Sequence, residues 1–159
     1  IGMLGGIGNS MILGNFDATF AAHPEMALYI PLIGGTGGNV GTQSSALVVQ
    51  GLANSSLDTK NTFKQVTKEA IVALINATII SLLVYTYNFI RFGAMATVTY
   101  SVSISLFAVV MFASIFGTLV PMTLEKLKID PAIATGPFIA ITNDIIGMMM
   151  YMGITVLLS

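Results

Sequence analysis

The 159-residue sequence contains no cysteine, no tryptophan and a single histidine, and only 8% of its residues are charged. The lack of cysteine excludes disulfides and thiolate metal sites, and one histidine cannot form a zinc site alone. The formal net charge is −1, so the basic patch that nucleic-acid binding requires is not indicated. Soluble domains carry about 25% charged residues, and this inventory therefore cannot cover a water-facing surface.

Apolar residues are abundant instead, at 55% of the chain with a mean hydropathy of +0.88. A helix needs about 20 apolar residues to cross about 30 Å of hydrocarbon. Four stretches without formal charge, apart from Asp144 in the last, exceed that length: 26–57, 70–90, 92–124 and 131–159. The sequence predicts an all-α membrane protein, a single transmembrane domain over 1–159 in contact with the lipid bilayer.

Five transmembrane helices per subunit are predicted, with short polar segments between them. They cover about 1–22, 26–53, 70–90, 97–124 and 132–158. Residues 54–69 are predicted to form a polar connection or a surface helix. No basic region precedes a short apolar core, so no signal peptide is indicated, and we expect a fragment whose first helix has lost its start.

Lysine and arginine predict the orientation of these helices. Only Arg91 lies on one side of the membrane, whereas the loops after the second and fourth spans contain Lys60, Lys64, Lys68, Lys126 and Lys128. Short cytoplasmic loops carry an excess of such residues, so both of these loops are predicted to be cytoplasmic. We predict a multi-pass protein of the cell (plasma) membrane.

One carboxylate, Asp144, stands in the middle of the fifth span, within PFIAITNDIIGMMMYMG. It lies about 20 Å along the helix from Pro131, close to the bilayer centre. A charge at that depth costs about 2.5–3.5 kcal/mol on insertion scales, and intramembrane carboxylates mark ion paths. The structural alternative is a protonated aspartate that hydrogen-bonds a neighbouring helix.

The helix face below Asp144 is almost bare. Residues four apart stack on a helix, so Ala140 and Gly136 lie on this face and leave backbone carbonyls open beside the carboxylate. Hard cations such as Mg²⁺ and Ca²⁺ prefer oxygen ligands. One aspartate neutralises a divalent ion poorly, whereas two across a twofold axis supply two charges. The residues therefore predict a homodimeric cation pathway with paired Asp144 side chains.

A second informative stretch is PLIGGTGGNVGTQSS at 31–45. It lacks the G-x-G-x-x-G spacing and the strand–turn–helix context of a nucleotide-binding loop. Close helix packing through glycine is one interpretation. We favour an irregular or kinked helix that lines a polar cavity, because polar, non-helical backbone is tolerated at membrane depth only there.

Two long motifs resemble those of the MgtE family of Mg²⁺ transporters and channels: PLIGGTGGNVGTQSSALVVQGLA at 31–53 and IDPAIATGPFIAITNDIIG at 129–147. Phe16-Asp17 is similar to a Phe-acidic pair in that family's first helix. The resemblance covers essentially the whole chain as the family's five-helix transmembrane domain. It implies a homodimer with the pore at the subunit interface, lined by the second and fifth helices, through which Mg²⁺ passes largely hydrated.

The resemblance also implies roles for single residues. Asp144 matches the family's central pore aspartate, and Ala140 and Gly136 match metal-site positions that act mainly through backbone carbonyls. The glycine-rich pore segment is matched by Gly35, Gly38 and Asn39. Asp17 matches the first-helix acid, a possible accessory group that we interpret as structural or vestibular. Mg²⁺ is the implied transported ion, and Mn²⁺ or Ca²⁺ are other divalent ions that the site could take.

Members of that family usually carry a cytosolic amino-terminal domain and paired CBS domains that sense internal Mg²⁺. The resemblance therefore implies Mg²⁺-sensing partners within the same polypeptide. We expect this sequence either to contain the conduction path without those cytosolic domains or to be one unit of a member that never had them.

Two other functions use intramembrane aspartates. A proton-coupled cation carrier would use Asp144 as its protonation site and would be driven by a pH gradient. An intramembrane aspartyl protease needs two aspartates that share a proton. However, Asp144 follows Ile-Thr-Asn and not G-x-G, and Asp17 is expected nearer the outer surface. Transport without an enzymatic step is the favoured prediction.

Overall fold

The computed structural model describes residues 2–55, 60, 62–134 and 136–158. Within these ranges the α-helices are α1 (Gly2–Gly14), α2 (Asp17–Ala22), α3 (Ile30–Ala53), α4 (Thr62–Phe92), α5 (Thr97–Lys126) and α6 (Pro137–Leu158). Short 3₁₀ helices at Pro24–Tyr29 and Pro131–Ala134 precede α3 and α6. No strand occurs in the described ranges, so the predicted all-α class is confirmed.

Three of the described helices, α4, α5 and α6, are long and apolar enough to cross a membrane. At 1.5 Å per residue they measure about 46, 45 and 33 Å. Helix α3 has 24 residues, but its glycines and polar side chains keep it outside that class. Helix α1 has 13 residues, fewer than the roughly 17 that a span needs. A membrane-embedded helical bundle follows, and five full spans stay a prediction.

The predicted first span, 1–22, is divided into two helices. The N–H groups of Asn15 and Phe16 donate to the carbonyls of Ile12 and Leu13, and this turn separates α1 from α2. Gly14 and Asn15 are both poor helix formers, which explains the break. Asp17 then lies in the first turn of α2 and is exposed. A carboxylate is stabilised there by the positive end of the helix dipole.

Helix α4 begins about eight residues earlier than predicted, at Thr62. Lys64, Lys68 and Glu69 therefore lie on its first turns. The helix extends this far because long polar side chains such as these are good helix formers. The connection is correspondingly shorter than 54–69; its residues 56–59 and 61 lie outside the described part of the chain.

Helix α6 begins later than predicted, at Pro137, after the 3₁₀ helix Pro131–Ala134. The residue before it, Gly136, has φ +67°, a left-handed conformation that glycine adopts without strain. Proline at the first helical position loses nothing by lacking an N–H, since the first N–H groups of a helix have no internal partner.

Helix α5 lies at the centre of the bundle and packs against α3, α4 and α6. More than half of the most apolar stretch of α5 is buried inside the bundle, whereas only 11% of the corresponding stretch of α4 is buried. The interior face of α4 is formed by the small side chains Ala73 and Ala77 and by Asn88. Within α5, the buried Pro121 has no N–H, so the carbonyl of Gly117 lacks its usual helical partner.

The chain direction assigns the two ends of the bundle. Helices α3 and α5 stop at the end where α4 and α6 start. This end is called the lysine end, because it carries Lys60, Lys64, Lys68, Lys126 and Lys128. At the opposite end a buried cluster joins the 3₁₀ helix Pro24–Tyr29 to α4 and α6. The Tyr29 hydroxyl donates to Oδ1 of Asn88, and the Tyr151 hydroxyl donates to the Met26 carbonyl at 2.9 Å. This cluster fixes the point at which α3 begins.

Candidate functional site

Helices α3 and α6 meet along the glycines of α3 and run antiparallel. A methyl group placed on Gly34 would lie 2.9 Å from Oδ1 of Asp144. One placed on Gly38 would lie 3.5 Å from the carbonyl oxygen of Ala140. The first distance is too short for a real side-chain carbon, so glycine permits this close approach. The glycine segment is therefore a regular helix that packs closely, not the irregular helix favoured from the sequence.

The Asp144 carboxylate lies over Gly34 and Gly38. Its Oδ1 is 2.9 and 3.8 Å from the methyl positions of these two glycines. The residue is half-buried, and within the described part of the chain no hydrogen bond or ion pair reaches its carboxylate. None of the described residues neutralises the charge, so the carboxylate is available to a mobile cation or to a proton.

The residues below Asp144 contribute backbone oxygens. The carbonyl of Gly136 accepts a hydrogen bond from the Ala140 N–H at 3.1 Å, which leaves one lone pair of that oxygen unused. A methyl group on Gly136 would meet nothing within 4 Å, so the space around it is open. The carbonyl of Ala140 faces Gly38 on α3. The structure thus brings Asp144, Ala140 and Gly38 together.

The other two predicted pore residues of α3 lie on its exposed side. Gly35 and Asn39 are exposed, and a methyl group on Gly35 would meet nothing within 4 Å. Gln43 and Gln50 are also exposed and extend a polar stripe along this helix. Successive helical residues are 100° apart, so Asn39, Gln43 and Gln50 lie about 140°, 180° and 160° around α3 from Gly34, on the side away from its contact with Asp144.

Asp17 is not brought to this site. Helix α1 packs on α6 with Gly5 against Ile141 and Gly8 against Ile145, so the two helices run parallel. Asp17 follows Gly8 by nine residues, and α2 packs against the 3₁₀ helix Pro24–Tyr29 at the end opposite the lysines. The vestibular role of Asp17 stays a prediction.

Asn143 is a polar residue of α6 that is not among those predicted from the sequence. It is 1% exposed, and neither its Oδ1 nor its Nδ2 has a hydrogen-bond partner among the described residues. A methyl group on Gly41 would overlap its amide nitrogen, so the amide occupies the notch at that glycine. A second polar side chain beside Asp144 in an apolar helix is the sequence signal that indicates it.

A further carboxylate, Glu69 of α4, lies nearer the lysine end. The Ser44 hydroxyl of α3 donates to its Oε1 at 2.9 Å, and Ser44 Oγ is 3.5 Å from Ser114 Oγ of α5. These contacts tie α3 to both neighbours. Glu69 was expected in the polar connection, and only the longer α4 brings it into the bundle.

No group of three or more histidine or acidic side chains comes together in the part of the chain that the structure describes. A divalent cation at Asp144 would therefore meet one carboxylate from this chain. Water and backbone oxygens would complete its coordination. Mg²⁺ suits such a site, because it dehydrates reluctantly and is commonly held by one or two carboxylates.

Residues 30–154 match the profile of the MgtE family, described as divalent cation transporters. The magnesium transporter MgtE of Bacillus subtilis is 32% identical over 149 residues, which are 94% of this chain and 33% of that protein. The magnesium transporter MgtE of Thermus thermophilus is 31% identical over 156 residues, 98% of this chain and 34% of that protein. The magnesium transporter MgtE of Enterococcus faecalis is 27% identical over 155 residues, 94% of this chain and 33% of that protein.

The chain thus spans about one third of the length of these relatives. With its apolar helices, the match identifies a multi-pass protein of the plasma membrane. The matched range contains both the glycine segment of α3 and Asp144. The resemblance seen in the two motifs is confirmed: the chain belongs to the MgtE family of divalent cation transporters.

Proposed function

We propose that the chain forms the conduction path of a Mg²⁺ transporter. Two copies pair across a twofold axis, and one Asp144 from each contributes to the central ion site. The observation that carries this proposal is the unpaired, half-buried carboxylate of Asp144 over the glycines of α3. The names of the relatives, all magnesium transporters, support Mg²⁺ as the ion.

The charge balance favours a pair of carboxylates. One aspartate leaves half of the charge of a divalent ion uncompensated, and two neutralise it. The small residues Gly136 and Ala140 leave room for an ion that keeps its water, and their carbonyls accept hydrogen bonds from that water. On α3, Gly35, Gly38 and Asn39 line the path, with Gly38 under the carboxylate and the other two on the exposed side.

The remaining parts of the proposal concern the surroundings of this path. Asp17 lies in the outer vestibule, where its exposed carboxylate raises the local concentration of cations. The lysine end faces the cytoplasm, in accord with the excess of basic residues there. Cytosolic Mg²⁺-sensing domains of the same polypeptide act on the path from that side.

The test is Mg²⁺ flux into liposomes that contain purified protein and a trapped Mg²⁺-sensitive dye. Asp144→Asn removes a charge-assisted interaction of about 1.5–3 kcal/mol, so flux should fall roughly 10- to 100-fold. Asp144→Glu keeps the charge but displaces it, and should change the ratio of Mg²⁺ to Mn²⁺ and Ca²⁺ flux. Glu125→Gln, at the exposed end of α5, is the matched control and should conduct normally.

Normal Mg²⁺ flux through Asp144→Asn would show that the ion site lies elsewhere. Flux that follows the Mg²⁺ gradient and the membrane potential at equal pH supports the channel. Flux that requires a pH gradient would instead indicate the proton-coupled carrier with Asp144 as its protonation site.

A further inference from the structure

Asn143 is buried, and neither end of its amide has a hydrogen-bond partner among the residues that the structure describes. An unpaired buried amide is costly, and apolar side chains avoid that cost. The residue directly precedes Asp144, so its position on α6 is coupled to that of the carboxylate. A role in placing Asp144 would explain why an amide stands here.

The amide fits a notch in α3 that only glycine leaves open. A methyl group on Gly41 would overlap the Asn143 amide nitrogen and would lie 2.9 Å from its Cγ. The backbone carbonyl oxygen of Asn143 lies 3.6 Å from the methyl position of Gly37. Asn143 is therefore seated between Gly37 and Gly41, which are about one turn apart on α3. A planar amide is thinner than a branched aliphatic group, and it adds no second charge beside Asp144.

Helix α5 closes the other side of the same notch. A methyl group on Gly117 would lie 2.6 Å from the carbonyl oxygen of Gly41 and 3.2 Å from Cβ of Ser44. Gly41 therefore cannot retreat from Asn143 without moving α5. Three helices meet at this glycine, which makes the fit of the amide restrictive.

We propose that Asn143 is a positioning residue: its amide, seated at Gly41, sets the rotation of α6 and so holds the Asp144 carboxylate over Gly34 and Gly38. A rotation of α6 by about 20° moves a group about 6 Å from the helix axis by about 2 Å. That movement is enough to take the carboxylate off the two glycines. The inference rests on the proposed role of Asp144 as the ion site.

The experiment is a double-mutant cycle on Mg²⁺ flux in liposomes. Gly41→Ala forces the amide out of the notch, and Asn143→Ala empties the notch. Each should raise the half-saturating Mg²⁺ concentration at least about fivefold and reduce the preference for Mg²⁺ over Ca²⁺. In the double variant the new methyl group fills the space that the amide leaves, so both quantities should return to within about twofold of the wild type.

Thermal unfolding of each purified variant separates loss of positioning from loss of fold. Gly153→Ala is the matched control, because Gly153 lies on the same helix as Asn143 and a methyl group there would meet no atom within 4 Å. This variant should match the wild type. A double variant no better than Gly41→Ala, or an Asn143→Ala variant with unchanged half-saturation and selectivity, would overturn the positioning role. Normal flux through Asp144→Asn would overturn the ion site, and rescue in the double variant would still report the fit at Gly41.

Discussion

At the scale of single residues, the absence of a side chain at Gly34 decides what Asp144 can meet. The carboxylate oxygen lies 2.9 Å from the point at which a methyl group on Gly34 would stand. A carbon atom at that distance must displace either the carboxylate or the helix. The glycine therefore serves the site by leaving space on one side of the charge.

Gly34→Ala is accordingly expected to reduce Mg²⁺ flux about tenfold while the protein stays folded, because the methyl group moves the carboxylate from its position. The measurement is flux as a function of Mg²⁺ concentration in liposomes, with thermal unfolding in parallel. Gly6→Ala, where a methyl group meets nothing within 4 Å, is the control. Equal flux for the two variants would mean that the contact with Gly34 has no bearing on transport.

Some of these residues can be predicted from the sequence and others cannot. A lone carboxylate in an apolar helix is enough to predict Asp144 as a candidate site residue. The four-residue spacing along α6 is enough to predict that Ala140 lies on the same face. The contacts of Gly41 with Asn143 depend on which side of α3 faces α6, and local periodicity does not determine that rotation. The seven residues around Asn39 include six that are small or polar, so no apolar stripe marks the buried face.

At the scale of helices, polar contacts at two points keep α3 at one height among its neighbours. One is the cluster of Tyr29, Asn88 and Tyr151, and the other is the contact of Ser44 with Glu69. Glycine packing alone resists sliding weakly, because it offers no side chains that interlock. The polar contacts therefore complement the close packing between them.

Tyr29→Phe tests the first of these contacts. It removes the only hydrogen bond that the described structure gives the buried Asn88 side chain, whose Nδ2 already lacks a partner. The expected cost is about 1–3 kcal/mol, or a fall of roughly 2–12 °C in Tm, measured by thermal unfolding in detergent. Tyr85→Phe, on an exposed side chain, should leave Tm within about 1 °C. A similar Tm for both variants would contradict a stabilising role for the cluster.

Helix existence follows from the sequence more readily than helix ends. Apolar length alone predicts α5, and it predicts the membrane part of α4. The start of α4 differs from the predicted start because polar residues such as Lys64 and Glu69 continue the helix beyond the apolar stretch. The break after Gly14 differs because an apolar run does not reveal a local turn.

At the scale of the whole molecule, the exposed surface is of two kinds. Helix α4 presents large apolar side chains such as Leu82, Leu83 and Ile90, as expected for contact with lipid tails. Helix α3 presents Asn39 and Gln43 as well as the apolar Leu47, and the two amide side chains are poorly suited to lipid. This polar face is where a second copy and a water-filled path would be accommodated.

The natural absence of cysteine makes this arrangement directly testable. Asn39→Cys introduces a single thiol on the polar face, and a short bismaleimide should cross-link two copies into a dimer on a denaturing gel. Leu83→Cys, on the exposed apolar face of α4, is the control and should stay monomeric. Cross-linking through Leu83→Cys but not through Asn39→Cys would place the contact between copies on the other side of the molecule.

Composition predicts the membrane, and the two motifs predict the family. Pairing of copies is different, because it depends on a surface formed by residues far apart in the chain, such as Gly35 and Asp144. No periodicity within one helix encodes how two such surfaces meet. This level of organisation is therefore proposed from charge and exposure.

Pro121 gives α5 a mechanical weak point behind the glycines of α3. The Gly117 carbonyl has no amide hydrogen bond from residue 121, so the helix is weakened at this turn. Gly117 is also the residue that packs against Gly41. Kinks in helices occur at proline, so this turn is where α5 is expected to bend most readily. A bend there would move Gly117 against Gly41, the glycine that contacts Asn143 next to Asp144.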